Sequence, residues 1–115
     1  MAIIEINKVI IVEGKTDKVQ VENVLNEPIE IICTNGTLSV TKLDEIIDST
    51  FHQDVFVLVD ADEAGNKLRK QFKREFPEAQ HIYIDKVYRE VAAAPLQHIA
   101  AVLFRANFKV KRQYL

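Results

Sequence analysis

Two short runs of large apolar residues each end abruptly at acidic residues. The first run, VIIV, continues as EG over residues 9–14, and the second, VFVLV, continues as DAD over residues 55–62. Runs that are apolar throughout are typical of central strands in a parallel sheet, where helices cover both faces. Ligands of open α/β sheets bind at the carboxyl ends of such strands. We therefore expect Glu13, Asp60 and Asp62 to meet at one edge of a sheet.

Strand-like runs alternate with helical patterns along the chain. The strands are predicted near residues 8–12, 29–33, 54–59 and 80–84. Repeated strand–helix–strand units imply a mainly parallel sheet with right-handed crossovers. If the two apolar runs are neighbours, with the second strand outside the first and the fourth outside the third, the strand order is 2-1-3-4. The chain then reverses direction between the first and third strands. We predict an α/β, Rossmann-like domain whose ligand crevice lies at that reversal.

The two acidic motifs together resemble a known family. The EG motif at residues 13–14 and the DAD motif at residues 60–62, continued by Gly65, resemble the Toprim domain of topoisomerases, primases, overcoming-lysogeny nucleases and the maturase of 5S ribosomal RNA. The EGKTD form of the first motif looks closest to the maturase-like branch. The match covers roughly residues 8–85 and implies the Toprim fold. In the resembling enzymes, the residue that matches Glu13 acts as general acid or base on a phosphodiester oxygen.

The spacing of the acids also predicts a metal site. Asp60 and Asp62 are one strand period apart, so both side chains can face the crevice. Together with Glu13 they offer the oxygen ligands that Mg²⁺, or Mn²⁺ in its place, prefers. The alternative is that Asp62 only caps the third helix and Asp60 is a solvated strand end. Glu13 is the candidate for proton transfer, or else a third metal ligand.

Cations near the motifs are candidates for phosphate contacts. Gly14 and Lys15 lie at the predicted start of the first helix, where backbone N–H groups favour an anion. Lys67 and Arg69 are further candidates on the third helix, with solvated surface residues as the alternative. Thr16 is expected to cap the first helix.

The length and composition limit the domain organisation and the partners. A chain of 115 residues is expected to form one domain over residues 1–115, with a core near 8–85 and an extension over 86–115. In that extension we predict a helix after Pro95 and a short edge strand over residues 108–111. A formal net charge of −2 means that nucleic acid must be met by a local patch or through a metal.

The sequence predicts a cytoplasmic protein. It has a single cysteine, no apolar stretch of membrane length, and no basic region followed by an apolar one at the N-terminus.

Three functions are compatible with these features. The first is a Mg²⁺-dependent phosphodiester hydrolase or phosphotransferase acting on RNA or DNA. The second is a non-catalytic, metal-dependent nucleic-acid-binding module, or a subunit of a complex in which a protein partner recognises the substrate. The third is a receiver-like phosphoacceptor domain with Asp60 phosphorylated. A receiver requires an acidic pair after the first strand, where Glu13 is followed by glycine and lysine.

Overall fold

A computed structural model describes residues 5–115 of the chain, so residue 1, the predicted start of the domain, lies outside the described residues. The strands of the sheet are β1 (Lys8–Val12), β2 (Glu30–Cys33), β3 (Asp54–Leu58) and β4 (Gln80–Ile82). The α-helices are α1 (Lys15–Val24), α2 (Val40–Ser49), α3 (Glu63–Glu75) and α4 (Leu96–Arg105). Short 3₁₀ turns cover Lys86–Tyr88, Val91–Ala93 and Arg112–Tyr114.

The sheet confirms the predicted topology. All pairings are parallel and the strand order is β2-β1-β3-β4. β1 is central, and Ile10 lies in register with Ile31 on one side and Phe56 on the other. The chain reverses direction between β1 and β3, which places the carboxyl ends of these two strands side by side at the switch point.

Helices cover the two faces of the sheet because β1 and β3 are apolar on both faces. One layer packs α1 and α4 against the sheet, with Ile10 and Leu103 in its core. The other layer packs α2 and α3 against the opposite face, with Ile11 and Phe72 in its core. Full burial of each such side chain contributes about 1.5–3 kcal/mol. The strands that deliver the acidic residues are therefore the most firmly packed part of the domain.

The predicted edge strand over residues 108–111 is wrong. Phe108 and Val110 are buried in the α1–α4 layer, and Val110 forms a single antiparallel bridge with Leu25. Two backbone hydrogen bonds flank the bridge, from Asn26 N to Lys109 O and from Lys111 N to Val24 O, both 2.8 Å. The alternation of apolar and basic residues is real, but the segment pairs with the end of α1 instead of the sheet. Its apolar side chains extend the core beneath that helix.

The start of α1 also differs from the prediction. Gly14, and not Thr16, is the N-cap, because the side chain of Asp17 turns back and accepts a hydrogen bond from the Gly14 amide at 3.0 Å. Ser39 is the N-cap of α2, and its hydroxyl accepts a hydrogen bond from the Lys42 amide at 3.1 Å.

The helices of this fold are all amphipathic or short. Within residues 5–115, no helix combines the length and the apolar character that crossing a bilayer requires.

Candidate metal centre

Three carboxylates meet at the switch point. Glu13 follows β1, and Asp60 and Asp62 follow β3, and one oxygen from each lies within 4.8 Å of the others. All three side chains are half-buried, so they are shielded from bulk water yet open to a small ligand. An oxygen-only cluster of this kind fits a hard divalent cation such as Mg²⁺ or Mn²⁺.

Each carboxylate is held by a backbone amide. Glu13 Oε1 accepts a hydrogen bond from Asp60 N, and Asp62 Oδ1 accepts one from Gly65 N, both at 2.8 Å. Asp60 Oδ1 accepts a third, also at 2.8 Å, from Val91 N in the turn after β4. Each bond uses one lone pair of a carboxylate and leaves others for a cation. Asp62 therefore caps α3 and belongs to the cluster as well, so the two roles are compatible.

Gly65 allows the first turn of α3 to pack directly against the DAD motif. A Cβ at this position would lie 2.0 Å from the carbonyl oxygen of Asp60 and 2.9 Å from its carbonyl carbon. These are backbone atoms and cannot move aside without moving Asp60 itself. A glycine at position 65 is thus a requirement for the geometry of the acidic cluster.

Burial and the crowding of the acids both disfavour their ionised forms. Burial raises the pKa of Glu13; the hydrogen bond from Asp60 lowers it, and the charges of Asp60, Asp62 and Asp17 raise it further. Burial also raises the pKa of Asp60, opposed by the Val91 amide and reinforced by neighbouring acids that include Glu90. A bound cation would relieve this repulsion and reverse both shifts.

Asp17 is a fourth acid at this edge, and sequence reasoning missed it. It is only 7% exposed. Burial raises its pKa, the Gly14 amide lowers it, and the charge of Glu90 raises it. Its position three residues after the N-cap was the available signal, because an acid there commonly bonds back to the cap amide.

The predicted anion site at the start of α1 is therefore already filled. The Gly14 amide, expected to meet a phosphate, donates to Asp17 instead. Lys15 is exposed and lies beside Lys18 and Asn35 in a separate shallow cleft next to the acidic cluster. Lys15 remains a candidate for a phosphate contact, whereas the structure gives no such role to Gly14.

Arg69, predicted as a phosphate contact or a solvated surface residue, is buried, and its donors are used within the fold. The side chain is 5% exposed and donates hydrogen bonds to Val57 O (3.3 Å), Val59 O (3.4 Å) and Ile82 O (2.7 Å). Its guanidinium also lies 4.0 Å from the ring centre of Tyr83. Arg69 binds the carbonyls at the ends of β3 and β4 and so stabilises the strand that carries Asp60.

A cleft adjoins the acidic cluster on the side of α3. Its volume is about 630 Å³. Lys67, the other predicted contact on α3, lines this cleft; its side chain is 73% exposed, and its ammonium lies 4.0 Å from Glu63 Oε1. The remaining lining residues are Glu13, Gly36, Thr37, Asp62, Glu63, Ala64, Leu68, Gln71 and Arg89.

Comparison with known proteins agrees with this arrangement. The model of the Toprim domain family matches residues 8–89. This chain belongs to the Toprim family. The Toprim fold is shared closely with a solved structure, the small TOPRIM domain protein from Bacillus stearothermophilus, which is 58% identical with a TM-score of 0.94. That match covers 96% of this chain and 93% of the other.

Two kinds of curated relative share the Toprim sequence. The Bacillus subtilis (strain 168) protein called "Uncharacterized protein YusF" is 60% identical over 111 residues, which are 96% of this chain and 76% of that protein. Ribonuclease M5 of Fusobacterium nucleatum is 34% identical over 85 residues, and that of Mycoplasma genitalium is 31% identical over 83 residues. These matches cover 72% and 71% of this chain but 45% and 46% of the two ribonucleases. The Toprim chain thus spans less than half the length of its ribonuclease M5 relatives.

Proposed function

We propose that this Toprim protein is a Mg²⁺-dependent enzyme that hydrolyses or transfers phosphodiester bonds in nucleic acid. The observation that carries the proposal is the meeting of Glu13, Asp60 and Asp62 within 4.8 Å at the carboxyl edge of the sheet. Membership of the Toprim family supports metal-dependent nucleic-acid processing in general. Toprim membership also argues against a receiver-like phosphoacceptor domain, because the motif pair and the fold both match Toprim.

The chemistry assigns different tasks to the three acids. Asp60 and Asp62 are the ligands that would hold Mg²⁺, which when bound neutralises phosphate charge and stabilises charge at the reacting phosphorus. Glu13 is the candidate for general acid or base, since burial and neighbouring acids move its pKa upwards from the ordinary value for a glutamate. The Asp60 amide holds Oε1 of Glu13 by a hydrogen bond. This bond orients the carboxylate and leaves its other oxygen for proton transfer. Glu13 would remove a proton from water or deliver one to the leaving oxygen.

RNA is the first substrate to test. Four curated relatives that are 31–34% identical to this chain carry the name Ribonuclease M5. DNA remains the second substrate, because the acidic site itself contacts phosphate and does not distinguish the two sugars.

A metal-dependent binding module, or a subunit of a larger complex, is the second candidate function. The observation in its favour is that the ribonuclease M5 relatives are more than twice as long as the segment they share with this chain. With a formal net charge of −2, the chain offers little general attraction for nucleic acid. Under this hypothesis a protein partner supplies substrate recognition.

A cleavage assay separates the two candidates. Wild type, Glu13→Gln and the control Glu45→Gln, an exposed glutamate on α2, would be incubated with labelled structured RNA and with DNA in Mg²⁺, Mn²⁺ or chelator. The enzyme hypothesis predicts metal-dependent cleavage by wild type and by Glu45→Gln, with a loss of about 10²–10⁴-fold in Glu13→Gln. Binding without cleavage in either metal would support the module instead. Wild type that neither binds nor cleaves would contradict both.

A further inference from the structure

Arg89 occupies an uncommon backbone conformation next to the acidic cluster. Its φ is 62° and its ψ is −48°, and the side chain lines the cleft that also contains Glu13 and Asp62. Positive φ is uncommon for a residue with a side chain, and it persists only where the surroundings determine it. The chain thus maintains an arginine where glycine would adopt the backbone more readily.

Hydrogen bonds to the DAD motif contribute to holding this conformation. The carbonyl oxygen of Arg89 accepts a hydrogen bond from the Ala61 amide at 2.7 Å. Two residues later, the Val91 amide donates to Asp60 Oδ1 at 2.8 Å. The backbone at Arg89 and just after it is therefore attached to the loop that carries the candidate metal ligands.

Helix α1 also holds the turn that follows Arg89. Gln20 on α1 donates hydrogen bonds from Nε2 to Ala94 O at 2.9 Å and to Val91 O at 3.4 Å. Because α1 is packed in the core, this contact holds the turn against the body of the domain. The position of Arg89 relative to Asp60 is thus set before any ligand arrives.

The guanidinium of Arg89 is not used within the fold. The side chain is exposed, and in the described part of the chain it makes no hydrogen bond or ion pair with another residue. Two other arginines differ, since Arg69 is buried on strand carbonyls and Arg74 pairs with Glu75 at 2.8 Å. An arginine that is held beside an acidic metal site and has no acidic partner is suited to bind a second anion there.

We infer that Arg89 binds a phosphate of the nucleic acid in the cleft, next to the phosphate at the acidic cluster. This inference rests on the proposed function, because it names a substrate-binding residue of the same site. The guanidinium presents parallel N–H donors that match two phosphate oxygens. Through the Ala61 and Asp60 hydrogen bonds, the bound phosphate would be held in a fixed relation to the metal ligands. Arg89 would therefore set which phosphodiester of the strand lies at Glu13.

Nucleic-acid binding by two variants and a matched control tests the inference. Arg89→Gly removes the side chain and adopts the same backbone without strain, and Arg89→Lys keeps the charge but loses the paired donors. Arg74→Gln is the control, because it removes an exposed arginine at the far end of α3, about 17 Å along the helix from Glu63. Fluorescence anisotropy with a labelled structured RNA and a single-stranded DNA would be recorded in Mg²⁺ over a series of salt concentrations.

The inference predicts a different binding result for each of the three variants. Arg89→Gly should weaken binding about 10-fold or more, as expected for lost charge-assisted hydrogen bonds. It should also reduce the salt slope by about 0.7–0.9, the value for one phosphate contact. Arg89→Lys should recover the salt slope but only part of the affinity, while Arg74→Gln should match wild type. Mn²⁺ affinity, measured without nucleic acid, and the melting temperature should change little in Arg89→Gly.

Two different failures can be told apart. If wild type binds nucleic acid and Arg89→Gly binds it equally well with the same salt slope, the inference is wrong and the proposed function stands. A loss of Mn²⁺ binding in Arg89→Gly would also overturn it, because Arg89 would then support the ligand loop and not the substrate. If wild type itself binds neither RNA nor DNA, both the inference and the proposed function fail.

Discussion

The backbone amide of Asp60 donates a 2.8 Å hydrogen bond to Oε1 of Glu13. This bond joins the ends of the two central strands, and it makes the position of Glu13, the proton-transfer candidate, depend on Asp60, a candidate metal ligand. Val91 in turn holds Asp60 Oδ1, so the site is a chain of carboxylates, each fixed by a backbone amide. The rigidity of the acidic cluster comes from the backbone and not from the acids themselves, which repel one another.

Replacement of Glu13 by glutamine or by alanine should distinguish its role in proton transfer from its role in stability. Glu13→Gln keeps an oxygen that accepts from the Asp60 amide and removes a charge that burial disfavours, so its stability in chelator should equal or exceed that of wild type while proton transfer is lost. Glu13→Ala leaves that half-buried amide without its acceptor and should cost about 1 kcal/mol in the free energy of unfolding. Urea unfolding of both variants in chelator checks this. Equal stability of the two would show that the 2.8 Å hydrogen bond does not hold the site.

The stability of the metal-free protein should depend on pH, because burial and mutual repulsion disfavour the charged forms of its acids. Glu13 and Asp60 have pKa values raised mainly by burial. A carboxyl whose pKa is higher in the folded state contributes stability that is complete below its unfolded pKa of about 4 and is lost as pH rises through the folded value. At neutral pH in chelator, Asp60→Asn should therefore melt at a higher temperature than wild type, since asparagine still accepts from Val91.

The difference in melting temperature between wild type and Asp60→Asn should shrink at low pH and change sign in Mg²⁺. Lowering the pH towards 4 protonates the wild-type acids, so the melting temperatures of wild type and Asp60→Asn should converge. Saturating Mg²⁺ should raise the melting temperature of wild type and leave that of Asp60→Asn nearly unchanged. Thermal denaturation followed by circular dichroism at several pH values, with and without Mg²⁺, provides the measurement. A variant that is clearly less stable than wild type in chelator would instead assign Asp60 a structural role.

Gly65→Ala should damage the acidic cluster through sterics alone. The new Cβ would meet the carbonyl of Asp60 at 2.0 Å, so the DAD loop must shift, with a cost on the order of 1–3 kcal/mol or more. Gly14→Ala is the matched control, because its Cβ would lie 3.8 Å from Asp17 Oδ2, an ordinary contact. We expect Gly65→Ala to lose stability and Mn²⁺ affinity, measured by unfolding and by calorimetry. Intact Mn²⁺ affinity in this variant would contradict the account of the loop.

The sequence predicted the fold and the acidic cluster because both follow from short local patterns. Two apolar runs define central strands, and each run ends at an acid, so the strand ends and the ligand edge could be derived together. The alternation of strands and helices predicted a parallel sheet, and the order 2-1-3-4 followed once the two apolar strands were taken as neighbours with the other two outside them. The structure agrees on the four strands and on their parallel order.

The parts that sequence reasoning missed depend on contacts between distant segments. Arg69 follows Leu68 in the apolar stripe of α3, so it turns towards the core, where the carbonyls of β3 and β4 accept its donors. Its helical spacing from Gly65 and Phe72 was a local signal of burial, but the carbonyls that accept its hydrogen bonds cannot be read from the local sequence. Arg89 lies in a turn without periodicity, and its role depends on hydrogen bonds to a loop 28 residues earlier. Val110 alternates like an edge strand but pairs with the end of α1.

The most direct test of the metal centre is a Mn²⁺ titration of three proteins without nucleic acid. These are wild type, the double variant Asp60→Asn/Asp62→Asn, and Asp44→Asn/Glu45→Gln, which makes the same change of charge on the exposed face of α2. We predict weak binding of one Mn²⁺ by wild type and by the α2 variant, strengthened by added phosphate, and no such binding by Asp60→Asn/Asp62→Asn. Equal Mn²⁺ binding by all three proteins, or none by wild type, would contradict the account.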